Sequence, residues 1–420
     1  GQRLGHELGG APARPAVAHF VRPDDRVFIK PNVVLPLYSP CVVLPELVHE
    51  LARSCVVDAG AARVRIGETS LSEFTSRQTL ESTGFREYWE AADPDAAAGA
   101  GRVEVELLDE SDFVAWRGDP APFSWLPRSL SAAHCERYIS ISKLKTHYIT
   151  GVTLSIKNSL GLLLDEEKCI DHRGCFGIRD LARKLVRITL ARPPDLVIID
   201  GFDGLEGDGP FVGDRVDTQF IIASHDPVAA DAVAATMMGR DKDQVDTCVL
   251  GEQLGLGRLD WADIRIVTRD GPVRPDELPV RHFAPASSAP DRAESWIGPI
   301  RLLSHDPPEL RAGPWSTLYG VLSLIRPMAE QYLVGEIGKL RGLTIVYGSI
   351  DAPIEAECAL LFGDRAIDAG HLVYAPTVWQ VPGEIPNRYL GALDQIAWGS
   401  DADLIKLLTT ALRKSKGEYL

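Results

Sequence analysis

Apolar and polar positions change period several times along the chain, and each change marks an element. "RVFIKPN" (Arg26 to Asn32) is an apolar run that stops at a proline, which cannot continue a ladder, so it predicts a strand with Lys30 and Asn32 at its end. "PELVHELARSC" repeats its apolar residues at spacings of three and four and predicts a helix; "ARVRIGE" predicts a second strand. Further on, "RYISISKLK" and "PDLVIIDG" predict strands, "GIRDLARKLVRITL" an amphipathic helix, and "DPVAADAVAATMMG" a helix closed by Gly239. Strands alternating with helices predict an α/β fold: an open, largely parallel sheet with helices on both faces.

The remaining third reads differently. From about Arg269 to Pro314 the chain is rich in Pro, Ser, Asp and Arg, as in "GPVRPDELPVRHFAPASSAPDR", which predicts a linker or long excursion. Beyond it the pattern predicts a helix around Leu318 to Leu340, the strand "GLTIVYGSI", a helix near Ile354 to Leu361 and an amphipathic helix from Asp401. The expected organisation is a main α/β domain over 1–268, an excursion over 269–314 and a smaller α/β lobe over 315–420, a length that suits more than one core.

Composition narrows the chemistry. A net charge of −15 and a pI near 5.2 argue against a nucleic-acid partner, which would need a basic face. No apolar run reaches the ~18 residues of a membrane span, and the start lacks a signal-peptide pattern, so no membrane contact and a cytoplasmic location are expected. The seven cysteines are scattered, with no CxxC pair, so neither an iron–sulfur cluster nor a disulfide framework is expected.

Only 11 of the 44 basic residues are lysines, yet Lys143 to Lys168 holds four lysines and no arginine. In open α/β sheets ligands bind beyond the carboxyl ends of strands. Lys30, Asn32, Lys143, Lys145 and His147 all fall at such ends, and Lys157 and Asn158 follow in an apolar segment. Lysine differs from arginine in being able to lose its proton at accessible pH. The glycine-rich stretch "DGFDGLEGDGP" places Asp200, Asp203, Glu206 and Asp208 on what reads as a loop, with carboxylates free for proton work or a divalent metal. The expected roles are Lys30, Asn32, Lys143, Lys145 and Asn158 in binding a small anionic substrate, His147, Lys157, His172 and Glu206 in catalysis, and Asp200 and Asp208 at a metal. Isolated His49, His225 and His371 read mainly as structural groups.

Four segments in order, "VFIKPNVV", "ISKLKTHYITGVTLSIKNSLGLL", "DLVIIDGFDGLEGDGP" and "ASHDPVAADAVAATMMG", resemble the domain of unknown function 362 family. The resemblance runs from about Val27 to Gly239, with "LLFGDRAID" and "VPGEIP" a weaker echo. It implies a fold and a site, and little chemistry. The ferredoxin-like cysteine cluster of many members is absent, and Glu384 stands where the family often has a cysteine after Pro-Gly. The spacing of His147, Lys157 and His172 is also similar to that in nickel-pincer lactate racemases, which implies a base, a cofactor-tethering lysine and a metal-binding histidine. Ser155 and Ile156 replace the glycine pair of that pattern, and its arginine-bearing amino-terminal motif has no counterpart in "IKPNVV". With no GxGxxG after a strand and no Walker loop, the expected function is an enzyme using proton or carbon-skeleton chemistry: isomerisation, elimination or addition. The alternatives are a metal-cofactor racemase and a non-catalytic anion- or metal-binding protein.

Overall fold

The alternating segments between residues 26 and 224 build one sheet, with Lys30, Lys143, Lys145, His147, Asp200 and Glu206 on its strands. The structure, a computed structural model, describes residues 16–70, 75–95, 101–115, 125–131, 133–164, 167–168, 178–287, 301–304, 343–362, 364–376 and 378–381. Strands β1 (Arg26–Pro31), β2 (Arg63–Glu68), β3 (Val103–Leu107), β4 (Arg137–His147), β6 (Leu196–Glu206) and β7 (Asp214–Ser224) lie in the order β3-β2-β1-β4-β6-β7, and the short β5 (Gly151–Val152) pairs with the end of β4. All neighbours are parallel except β7, which returns antiparallel against β6, and β5. The order reverses between β1 and β4, the position at which crossover helices leave to opposite faces and a crevice opens.

Period-two alternation supplies both cores. Val27 and Ile29 of β1, Ile139 and Ile141 of β4, and Leu196 and Ile198 of β6 pack with Val48, Ala52 and Cys55 of α1 (Pro45–Val57), Leu80 of α2 (Ser76–Thr83) and Phe85 and Trp89 of α3 (Phe85–Glu90). Phe28, Tyr138, Val197 and Ile199 point the other way. They meet Leu154 and Ile156 of α4 (Leu154–Asn158), Leu181, Leu185 and Ile188 of α5 (Ile178–Ala191), and Val228 and Ala232 of α6 (Pro227–Met237). Helix α6 starts at Asp226, whose carboxylate accepts from the Ala229 amide at 2.9 Å, and is followed by Gly239 in the left-handed region at φ 72°.

The structure corrects several of these expectations. The acidic "loop" after Asp200 is strand: β6 runs to Glu206, held by β7, which the sequence pattern did not disclose. The segment near Ile354 to Leu361 is extended rather than helical, with a short strand at Ile354–Glu355 and another at Cys358–Phe362; the helix comes later, at Asp364–Asp368. A short apolar run such as "ECALLF" carries no period that separates a buried strand from a helix. The strand expected at "GLTIVYGSI" is present. It is β9 (Leu343–Tyr347), which with β8 (Arg301–Leu303), β10 (Cys358–Phe362) and β11 (Val378–Val381) forms a four-stranded parallel sheet in the order β8-β9-β10-β11. Helices expected at 318–340 and from Asp401 lie outside the described residues.

Candidate anion site at the switch point

The site is built from the carboxyl ends of β1, β2, β4 and β6 together with α4. Lys30, Lys143 and Lys145 are almost entirely buried, at 0%, 0% and 1% exposure. Burying an ammonium costs several kcal/mol unless it is matched, so the partner of each lysine decides what the site can do.

Lys30 is matched. Its Nζ lies 2.5 Å from Glu68 Oε2 and donates to Asn158 Oδ1 at 2.8 Å. Burial draws Lys30 down and Glu68 up, each towards its neutral form, against their mutual attraction. Gly161 makes this contact possible: a Cβ there would stand 1.7 Å from Glu68 Oε1 and 2.8 Å from Lys30 Nζ. Asn158 ties the crevice together, because its Nδ2 donates to Lys30 O at 3.3 Å, Ser140 Oγ at 2.9 Å and Ile141 O at 3.2 Å. Those contacts fix its amide, so Asn158 Oδ1 faces Lys30 and also receives Asn32 Nδ2 at 3.2 Å. Asn32 therefore turns its own Oδ1 into a buried position with no donor among the described residues.

Lys143 is doubly matched, by Asp200 Oδ2 at 2.9 Å and Asp203 Oδ1 at 2.5 Å. Residues three apart on a regular strand point to opposite faces, and a β-bulge brings these two to one lysine. The pairing of β4 with β6 shifts from Lys143↔Asp200 to Lys145↔Leu205, and that of β6 with β7 shifts between Gly201 and Asp203. Asp200 also accepts from the Leu44 amide and Asp203 from Ser39 Oγ, which joins this pair to the segment before α1. Burial would raise the Asp203 carboxyl, but hydrogen bonds from Lys143 and Ser39 and the charges of Lys143 and Arg215 hold it below the usual range.

Lys145 and Lys157 form no ion pair with a carboxylate among the described residues. Lys145 Nζ donates to the Cys41 carbonyl at 2.5 Å and sits 5.7 Å from the centre of the Phe211 ring. Burial, together with the charges of Lys143 and Lys30, pushes it down to about 8. Lys157, partly buried on α4, forms no hydrogen bond or ion pair with any described residue. Burial first, then the ammonium groups of Lys145 and Lys30, push it down to about 7 against the pull of Glu68. Its helix is anchored from below by Asp231, which accepts from the Ser155 amide at 2.8 Å, Ser155 Oγ at 2.6 Å and the Ile156 amide at 3.0 Å.

The other expected residues fall around this centre. His147 is buried at the end of β4, and its Nδ1 accepts from the Ile149 amide at 3.1 Å, which places the imidazole proton on Nε2 and makes the ring a donor on that side. Glu206 accepts from the Ala284 amide at 2.8 Å, and no hydrogen bond or ion pair joins it to Lys30, Lys143, Lys145 or Lys157. Asp208 accepts from the Ser287 amide at 2.7 Å, so both carboxylates fasten the segment after residue 282. His172 lies outside the described residues. Among the described residues no group of three or more His, Cys, Asp or Glu side chains is placed to hold a metal. Burial raises the Cys41 thiol further than the nearby lysines lower it, which disfavours its thiolate form.

Two contributors escaped the sequence reading. Glu68 ends a predicted strand as Lys30 does, and the strand-end rule that selected Lys30 applies to it equally. Lys168 donates to Thr69 O at 3.1 Å and Ser70 O at 2.5 Å, just beyond β2, a contact between distant segments that no local pattern signals.

Residues 27–236, half of the chain and all of the strands and loops that build the site, match the family model described as a domain of unknown function (DUF362). The chain belongs to the DUF362 family. A relative from Synechocystis sp., named Thylakoid-associated protein sll1697, is 28% identical over 244 residues, covering 57% of this chain and 71% of that protein. Among the described residues of this DUF362 protein, no helix is long and apolar enough to cross a membrane.

Proposed function

We propose that this DUF362 protein is an enzyme that binds a small carboxylate or phosphate metabolite in the switch-point crevice and acts on it by proton or carbon-skeleton chemistry. One observation carries the reading: Lys157 feels the charge of Lys145, and neither forms an ion pair with a carboxylate among the described residues. An anion would supply the missing charge and would be held first by Lys145, the ammonium that stays protonated to the higher pH. The unpaired Asn32 Oδ1 asks for a ligand N–H or O–H beside the anionic group. Lys157, displaced to about 7, is suited to take up or release a proton near neutral pH, and His147 Nε2 can donate. Isomerisation, elimination and addition all draw on such a pair.

The racemase reading places a nickel cofactor on Lys157. The Lys157 amine suits a tether, but the described residues do not by themselves assemble a nickel donor set. The cysteines Cys41, Cys55, Cys135 and Cys248 are free, which fits a reducing compartment such as the cytoplasm.

Isothermal titration with phosphate, sulfate and a series of small mono- and dicarboxylates tests the reading. Binding is expected for part of the panel, weakened about tenfold or more in Lys145→Met and Lys157→Met, the loss of a charge-assisted hydrogen bond being worth ~1.5–3 kcal/mol. Absence of binding to every anion, or binding unchanged in both variants, overturns it. Binding without turnover of any panel member would favour the non-catalytic anion-binding alternative.

A further inference from the structure

We infer that Lys157 is a nucleophilic amine that forms an imine with an anionic aldehyde or ketone held in the crevice. This deepens the reading above, resting on its anion site and adding a covalent step.

Three features of the site point the same way. Lys157 has no hydrogen bond or ion pair among the described residues, so its lone pair is not committed, and its side chain is only partly buried. The charges that face it are the ammonium groups of Lys30 and Lys145 and the carboxylate of Glu68, already engaged by Lys30. Two neighbouring cations and one neutralised anion favour the uncharged amine, the arrangement that activates lysines towards carbonyl carbon. Lys145, by contrast, is spent on the Cys41 carbonyl and suits the role of anion holder. Helix α4 keeps Lys157 in place because Asp231 fixes its first amides, so the amine need not be ordered at the moment of reaction.

The step balances without any outside redox partner. The Lys157 amine adds to the carbonyl carbon as the C=O π pair moves to oxygen; that oxygen takes up protons and leaves as water. The amine's nitrogen then forms a double bond to carbon, and one proton from solvent leaves the product as a protonated imine. Such an imine withdraws electrons from the adjacent carbon, the demand made by the carbon-skeleton chemistry proposed above.

Reductive trapping decides the matter. The full-length protein is incubated with pyruvate or glyoxylate and sodium cyanoborohydride at pH 7, with propanal as an uncharged control, and followed by intact mass and peptide mapping. The expected result is one adduct per chain, on Lys157, formed at least ~10-fold faster than on any other lysine and slowed by phosphate, and absent in both Lys157→Met and Lys157→Arg. Adducts spread over several lysines, a single adduct elsewhere, or equal labelling by propanal overturn the inference. If phosphate binding persists in a protein that fails to trap, the imine is lost and the anion site stands; if neither occurs, both fall.

Discussion

Replacing Lys157 by methionine should make the protein more stable, and the gain should depend on pH. Methionine keeps most of the aliphatic stem and removes a charge that has no partner among the described residues. In the folded protein the amine sits at about 7, against an ordinary lysine value of 10.5. At ~1.4 kcal/mol per pH unit that difference corresponds to ~5 kcal/mol, and because the side chain is only partly buried, solvent screening reduces it to ~2 kcal/mol. The sign follows from proton counting. Below pH ~7 the amine is protonated in both states and the folded chain bears the full penalty; between ~7 and ~10.5 the unfolded chain holds the extra proton, so the parent gains stability as pH rises. The variant is therefore expected to melt ~2–4 °C above the parent at pH 6, a margin that shrinks by half or more at pH 9. Differential scanning calorimetry of both proteins at both pH values, without added anions, measures this. A lower melting temperature for the variant at pH 6 would show that a carboxylate holds Lys157, and a pH-independent gain would show that packing, not charge, is responsible.

Three further outcomes follow from named contacts. Glu68→Gln strands the buried Lys30 ammonium and should cost ~3–5 kcal/mol in urea unfolding, while adding Lys30→Met to it should recover much of the loss. Gly161→Ala drives a methyl group into Glu68 and Lys30 and should cost ~1–3 kcal/mol and weaken anion binding, as titration calorimetry would record; an unaffected protein would mean the loop moves aside freely. Burial pushes the Asp231 carboxyl up to about 7 from its usual 3.8, so the parent should lose stability as pH rises from ~4 to ~7; Asp231→Asn should flatten that slope in chemical denaturation at pH 5 and 7.5, and an unchanged slope would remove Asp231 as its source.

The main sheet was legible because its strands carry period-two or continuous apolar runs ended by Pro, Gly or charge. The lysines at those ends stood out because this acidic chain draws most of its positive charge from arginine. Lys30, Lys143 and Lys145 were singled out in this way, and Lys157 and Asn158 as polar residues within an apolar segment. The bulge in β6 was not legible. It depends on strand β7, whose residues, such as Arg215, Asp217 and Gln219, alternate as an exposed edge that sequence alone does not separate from a loop. Without the bulge, Asp200 and Asp203 look equivalent to Glu206 and Asp208, and only register separates the two that reach Lys143 from the two that fasten the segment after residue 282. β10 was misread for a different reason: its five residues are too few to show any period.

The reversal of strand order has a consequence for inheritance and engineering. Strands β1 to β3 come from residues 26–107, and β4, β6 and β7 from 137–224, so each half of the main sheet is an unbroken stretch of chain. The seam between the halves is the β1–β4 ladder, with Asn158 bridging it from one fragment to Lys30 of the other. Cut between 108 and 136, the polypeptide would become two complementary pieces, neither owning the site: Lys30 and Glu68 would travel with the first, Lys143, Lys145 and Lys157 with the second. If the proposed anion binding holds, its return would report the reassembly of such fragments, because the residues assigned to it are divided between the two halves.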